Sequence, residues 1–179
     1  MKLQLFISGF LLFNLHFSFG QIQPLLEGAY QRFSGASSII MHTAEKMPES
    51  LYNYKPASDV RTFGQLIGHI IESNYFFCNQ ILEDGKAVDT DAIVGSKSKL
   101  LSALSESFSY CEDAHKQLDE KSSLDQVHFQ GQLKPKLEVL NTNNMHNIMH
   151  YGNLVIYLRM NGLVPPTSDQ EFMKKLMGG

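Results

Sequence analysis

From Val139 to Leu158 the chain carries no aspartate, glutamate, lysine or arginine, yet the same stretch holds five asparagines and the pair His146 and His150. An uncharged helix of this length is expected to lie in the middle of a fold. Asparagine and histidine are costly there unless partnered, at about 1–3 kcal/mol for each unsatisfied buried group. A stretch that is uncharged and polar at once therefore favours a fold with a buried polar site. Four residues apart on a helix, His146 and His150 stack on one face. Two imidazoles so placed can share one metal ion.

The remaining segments supply the neighbours for such a helix. Gln21 to Met47 repeats apolar residues at helical spacing: Leu25, Leu26, Tyr30, Phe33, Ile39, Ile40 and Ala44. A connector with Pro48 and Pro56 follows, and Ser58 or Thr62 is placed to cap a second helix running to about Glu83. That helix buries Phe63, Leu66, Ile67, Ile70, Phe77 and Ile81, with His69 among them. Gly85 suits a left-handed C-terminal cap. A third helix spans about Lys97 to Leu118, with Leu100, Leu104, Phe108, Cys111 and His115 on its apolar side. Asp119 to Pro135 reads as irregular, with an extended Gln126–Phe129 and a turn at Gly131. Lys136 to Asn161 is the fourth helix, and Thr167 or Ser168 is placed to cap a short last one, Asp169 to Leu176. Four long amphipathic segments without convincing strand alternation predict an all-α four-helix bundle. The long connectors predict one or two overhand crossings.

Met1 to Gly20 reads as a signal peptide: Lys2, an apolar run from Leu3 to Phe17, then Ser18-Phe19-Gly20 before an expected cut ahead of Gln21. A retained N-terminal anchor is the alternative. The reading predicts an exported protein, periplasmic or secreted, with residues 21–179 as one domain and no membrane attachment after cleavage. Loss of Lys2 takes the formal charge from −3 to −4. With no basic block, no nucleic-acid partner is expected. Cys78 and Cys111 sit inside apolar helical patterns and are expected as buried free thiols, with one disulfide as the alternative.

His69 with His146 and His150 is the constellation that can carry chemistry. Three neutral imidazoles leave a fourth position open, which is the catalytic rather than the closed structural pattern of zinc sites. Imidazole suits zinc, nickel, copper or iron; zinc is the first expectation. Glu72, one turn after His69, is the candidate general base, and Tyr157, continuing the His146–His150 stripe, a candidate partner for bound water or substrate, as is Asn153. Arg159 is expected in a structural ion pair, with anion binding as the alternative. Ile148, Met149, Val155 and Leu158 are expected as core. His42, His115 and His128 are expected at the surface, and Cys111 with His115 offers a competing i, i+4 metal site.

Two segments carry a family resemblance. Met47-Pro48-Glu49-Ser50 through Arg61-Thr62-Phe63-Gly64-Gln65-Leu66-Ile67-Gly68-His69-Ile70, and His146-Asn147-Ile148-Met149-His150-Tyr151-Gly152-Asn153 through Tyr157-Leu158-Arg159-Met160-Asn161-Gly162 to Pro165-Pro166, together resemble the DinB-like (YfiT-like) superfamily of metal-dependent bundle proteins. Asn153 departs from the glutamine common there. The resemblance implies an up-up-down-down bundle, His69, His146 and His150 as the ligands of a divalent metal, and often a homodimer. It also implies thiol-dependent transferases and isomerases among the relatives. Export argues against a cytoplasmic thiol as co-substrate. The expected activity is therefore metal-dependent hydrolysis or transfer on a small molecule. A non-enzymatic, stress-associated metal-binding bundle is the alternative, and a bundle whose histidines bind nothing is the third.

Overall fold

The computed structural model describes residues 22–178; the expected signal segment, its cleavage point and His16 lie outside the described residues. Helix α1 spans Gln23–Lys46, α2 Phe63–Leu82, α3 Lys97–Gln117, α4 Lys136–Met160 and α5 Gln170–Leu176, with strands β1 Gln126–Phe129 and β2 Gln132–Pro135 between α3 and α4. The four long helices form a four-helix bundle. Each of α1 and α2 packs on both α3 and α4, so α1 lies diagonally across from α2.

Helix directions follow from what meets at each end. Tyr52 donates its hydroxyl to the Ala44 carbonyl, while Phe63 N and Gly64 N donate to the carbonyls of Tyr54 and Tyr52. The connector thus folds back on the end of α1 and starts α2 there. Lys97 Nζ donates to the carbonyls of Glu45 and Met47, so α3 starts at that same end. At the far end, Lys136 of α4 meets Glu83 at 3.0 Å. Two helices run each way, as the resemblance implies, but the order reads up-down-down-up, because α2 begins where α1 stops. The overhand crossing is the α2–α3 connection, residues 83–96.

Local chemistry accounts for the boundaries. Thr62 and Gln65 form a reciprocal capping box that starts α2. The residue in the left-handed region directly after α2 is Glu83 (φ 56°), not Gly85 as expected; Gly85 takes φ 74° two positions later, where its N–H reaches Asn79 Oδ1. Helix α5 is capped by Asp169, whose side chain accepts from Phe172 N and pairs with Lys46 at 3.1 Å. The expected caps Thr167 and Ser168 are instead used in a 3-10 turn that follows Pro165. Gly64 and Gly68, one turn apart on α2, let the crossing lie flat against the helix. A Cβ at Gly64 would run into the Val94 carbonyl oxygen, and one at Gly68 into Thr90 Oγ1.

The expected irregular stretch contains a short antiparallel hairpin, with Phe129 opposite Gln132. Gln130 and Gly131, its turn residues, both have positive φ, as a two-residue hairpin turn requires. Phe129 packs against Phe76 and Phe77 of α2. In the bundle interior Ile40, Ile67, Ile70, Ile71, Leu100, Leu104 and Leu140 are wholly buried. Each such side chain contributes about 1.5–3 kcal/mol relative to exposure.

The expected free thiols are corrected: Cys78 and Cys111 are joined as a disulfide between α2 and α3, with Cα atoms 5.3 Å apart. Each cysteine lies on its own helix's apolar face, and the parallel run of α2 and α3 brings them to one level. A cross-link over a separation of 33 residues adds about 3–4 kcal/mol on the chain-entropy account.

The asparagines of α4 knit helices together. Asn147 Nδ2 donates to Asn74 Oδ1 (3.0 Å), Asn74 Nδ2 to Ser107 Oγ (3.1 Å), and Asn144 Nδ2 to the Ala29 carbonyl (3.0 Å). Asn143 Nδ2 lies against the disulfide sulfurs, 3.4 and 3.5 Å away. Helix α4 is only half enclosed, however. Ile148 and Met149, expected as core, are 49% and 56% exposed, and Met145, Ile156 and Met160 extend that outward apolar face. Leu158 is fully buried, as expected. An uncharged helix is here packed on one side and apolar on the other. Among the described residues, no helix is long and apolar enough to cross a membrane.

Candidate metal centre

His69 sits about two turns into α2, and His146 and His150 sit one turn apart on α4. The antiparallel packing of those helices brings the three rings together. His146 Nε2 is 3.3 Å from His69 Nε2 and 3.1 Å from His150 Nε2. One ligand atom from each residue lies within 4.8 Å of the others. Tetrahedral zinc–nitrogen bonds of about 2.0–2.1 Å put nitrogens about 3.3 Å apart, so the two spacings at His146 match those around a single small cation. Nitrogens at these distances are satisfied either by N–H···N hydrogen bonds between complementary tautomers or by one cation held among them.

Electrostatics keep these rings ready to coordinate. Burial, then the neighbouring His150, His69 and Arg61 charges, hold His146 at about 4. Burial, then His69 and Arg61, hold His150 at about 4. His69 is lowered by burial and by Arg61, with Glu72 pulling the other way. At neutral pH all three rings are uncharged, the form that binds metal. Phe77 packs beside His146, with ring centroids 5.5 Å apart, and Phe129 of the hairpin backs Phe77.

Around the rings the fit is uneven. Asn153 Nδ2 lies 3.4 Å from His150 Nδ1. A flip of its amide would present Oδ1 to an Nδ1–H instead, the arrangement that fixes a ligand's tautomer. His146 Nδ1 is buried and has no hydrogen-bond partner among the described residues. Glu72 lines a cleft of about 260 Å³ with His69, and its Oε1 accepts from both Thr90 N (3.0 Å) and Thr90 Oγ1 (2.6 Å). Tyr157 donates its hydroxyl to the Arg61 carbonyl at 2.6 Å, and its pKa is raised by burial. A larger cleft, about 690 Å³, is lined by His150, Asn153, Tyr157, Arg61, Gln65 and Leu66 among others.

Other expectations change. His115 is 8% exposed rather than at the surface, lying on the buried side of α3 between Phe33 and Tyr30. It cannot join Cys111 at a metal, because that sulfur is in the disulfide. His128 is exposed on β1, and His42 stacks on Phe172. Arg159 makes no ion pair among the described residues; its Nη2 reaches Ser168 Oγ at 3.4 Å. Arg61 went unnoticed in the sequence, although a cation directly before the Thr62 cap, eight residues ahead of His69, is a visible signal.

The DinB superfamily's family model matches residues 32–154, most of the chain and all three histidines. The chain belongs to the DinB superfamily. A DinB-like protein from Bacillus subtilis superposes with a TM-score of 0.65 at 23% identity, covering 76% of this chain and 94% of its own. A DinB-like protein from Bacillus cereus ATCC 10987 superposes at 0.70 with 16% identity, covering 78% and 95%. At that identity these two establish the DinB-like fold. No curated protein matches the chain.

Proposed function

We propose that this DinB-superfamily protein is exported and binds a divalent metal, zinc first with nickel or iron as alternatives, through His69, His146 and His150, and uses it in hydrolysis or group transfer on a small molecule. The observation that carries the reading is the convergence of three imidazoles from two helices beside two clefts, His146 Nε2 lying 3.3 Å from His69 Nε2 and 3.1 Å from His150 Nε2, with one ligand atom of each within 4.8 Å of the others. A metal bound there supplies a Lewis acid that lowers the pKa of a water or thiol it holds. Glu72, whose Oε2 makes no hydrogen bond among the described residues, is the group to take a proton. Tyr157 holds the Arg61 backbone in place, and its oxygen can still accept a hydrogen bond. Export is supported by the apolar Leu3–Phe17 run and by the disulfide, which suits an oxidising compartment. A homodimer is part of the proposal, supported by the outward apolar face of α4.

One observation favours the non-enzymatic metal-binding alternative: Glu72 Oε1 and the Tyr157 proton are both already committed to protein partners. Elemental analysis of protein purified without chelators tests the shared core of both readings, with stoichiometric metal expected. Metal-free protein would sink both. A panel of ester, amide and thiol-conjugation substrates then separates them. Turnover that disappears in Glu72→Gln while metal is retained supports the enzyme; no turnover in metal-replete protein supports the binding module.

A further inference from the structure

Three arginines occur in the chain, and two have side-chain partners: Arg32 Nη2 reaches Asn141 Oδ1 at 3.3 Å, and Arg159 Nη2 reaches Ser168 Oγ at 3.4 Å. The Arg61 guanidinium has neither a hydrogen bond nor an ion pair among the described residues, although Asp59 lines one adjoining cleft and Asp91 the other. Its backbone is nonetheless firmly held. The carbonyl accepts the Tyr157 hydroxyl, and the next residue is the Thr62 cap, locked to Gln65. A pinned backbone carrying an uncommitted fork of donors suits a recognition residue, because only the side chain itself remains to be ordered on binding.

Arg61 is also placed where such recognition would matter. With Gln65 it lines both clefts, the one holding His150 and the one holding His69, so it stands between them at the mouth of the histidine site. All three imidazoles feel its charge. The larger cleft adds Pro56, Val60, Leu66 and Ile156, an apolar wall beside the cation.

We infer that Arg61 is the anion-recognition residue of this site, and that its ligand is a small organic acid. The carboxylate meets the guanidinium, the apolar body lies on Leu66 and Ile156, and the remainder reaches the histidines. A planar fork of donors matches a carboxylate in a two-point contact. The single negative charge is chosen over phosphate because Asp59 lines one of the clefts and Asp91 the other, and their charges disfavour a dianion more than a monoanion. The inference rests on the histidine site being the functional one, as proposed above.

Calorimetric titration of metal-replete protein with acetate, butyrate, benzoate and phenylacetate tests it, with benzamide as the neutral counterpart of benzoate. Benzoate is expected to bind more tightly than acetate and more tightly than benzamide. Arg61→Gln is expected to lose about 10- to 100-fold in benzoate affinity, the range for a charge-assisted hydrogen-bonded contact, with benzamide unchanged. Arg61→Lys should recover part of the loss, and Arg159→Gln should bind like the parent. Equal benzoate binding by Arg61→Gln and parent, equal binding of benzoate and benzamide, or no binding of any carboxylate overturns the inference. Inorganic phosphate displacing benzoate at lower concentration overturns the carboxylate assignment. Metal content measured on the same samples keeps the two readings apart. A parent without metal fails the metal reading, whereas metal-replete variants with unchanged binding fail only the role of Arg61.

Discussion

Two places in the bundle hold buried imidazoles, and they have opposite chemistry. On the α1/α3 side His115 sits between Phe33 and Tyr30, with ring centroids 4.8 and 6.0 Å away and its Nε2 buried without a hydrogen-bond partner among the described residues. On the α2/α4 side His146 has two other imidazole nitrogens within 3.3 Å. Burial is the leading cause that depresses both, and both are held at about 4. Low basicity is thus common to a packing histidine and a ligand candidate. Convergence of three ring nitrogens within 4.8 Å of one another, next to an open cleft, is what separates them.

The sharpest way to break the comparison is to remove one ring from each place. His146→Ala is expected to lose more metal affinity than the roughly 10- to 100-fold that changes around the ligands usually cost. His115→Phe is expected to keep full metal occupancy. Zinc competition against a chromophoric chelator reads both. Full occupancy in His146→Ala would mean that the converging nitrogens are packing and not ligation.

Acid should distinguish them next. The unfolded chain's histidine titrates near 6.5, whereas folded His115 is held at about 4. Between those values the unfolded state binds the extra proton, so His115 makes stability fall as pH drops from about 6.5 to about 4, and the loss levels off below. The depression is worth about 3 kcal/mol at most for this group. Urea titrations at pH 7 and pH 4.5 are expected to show a smaller pH-dependent loss in His115→Phe than in the parent. The difference should persist in metal-stripped protein, since His115 makes no contact with the histidine site. An unchanged slope would show that His115 is not the group whose protonation costs stability.

The same contrast explains what could be read from the chain. Helical periodicity reports one helix's own apolar face, so α1 to α4 emerge within a few residues of their true ends, helped by the Thr62 cap and the prolines. The His69, His146 and His150 grouping was legible because two of its members share a face and the third lies in a recognisable segment. What periodicity omits is which neighbour each face meets. Cys78 and Cys111 needed the parallel run of α2 and α3 to become a disulfide. His115, on an apolar face, was expected outside because nothing in the sequence placed Phe33 and Tyr30 around it. Ile148 and Met149 were expected inside because lack of charge resembles burial. Thr90, which engages Glu72, lies in a polar loop whose path depends on Gly64 and Gly68.

The smallest expected effect concerns what holds a candidate ligand ring in place, a polar partner that His115 Nε2 does not have among the described residues. Asn153 is exposed and lies 3.4 Å from His150 Nδ1, a long contact. Partners of this kind fix the tautomer so that the other nitrogen keeps its lone pair for the metal. Asn153→Ala should therefore weaken zinc binding about tenfold, the low end of that class because water can replace an exposed partner. Asn153→Gln should retain most of the affinity, because its carboxamide offers the same acceptor from one methylene further out. If Asn153→Ala binds zinc like the parent, the second nitrogen of His150 is served by solvent. The centre would then depend on helix packing alone to aim its ligands, and the difference from His115 would reduce to geometry between α2 and α4.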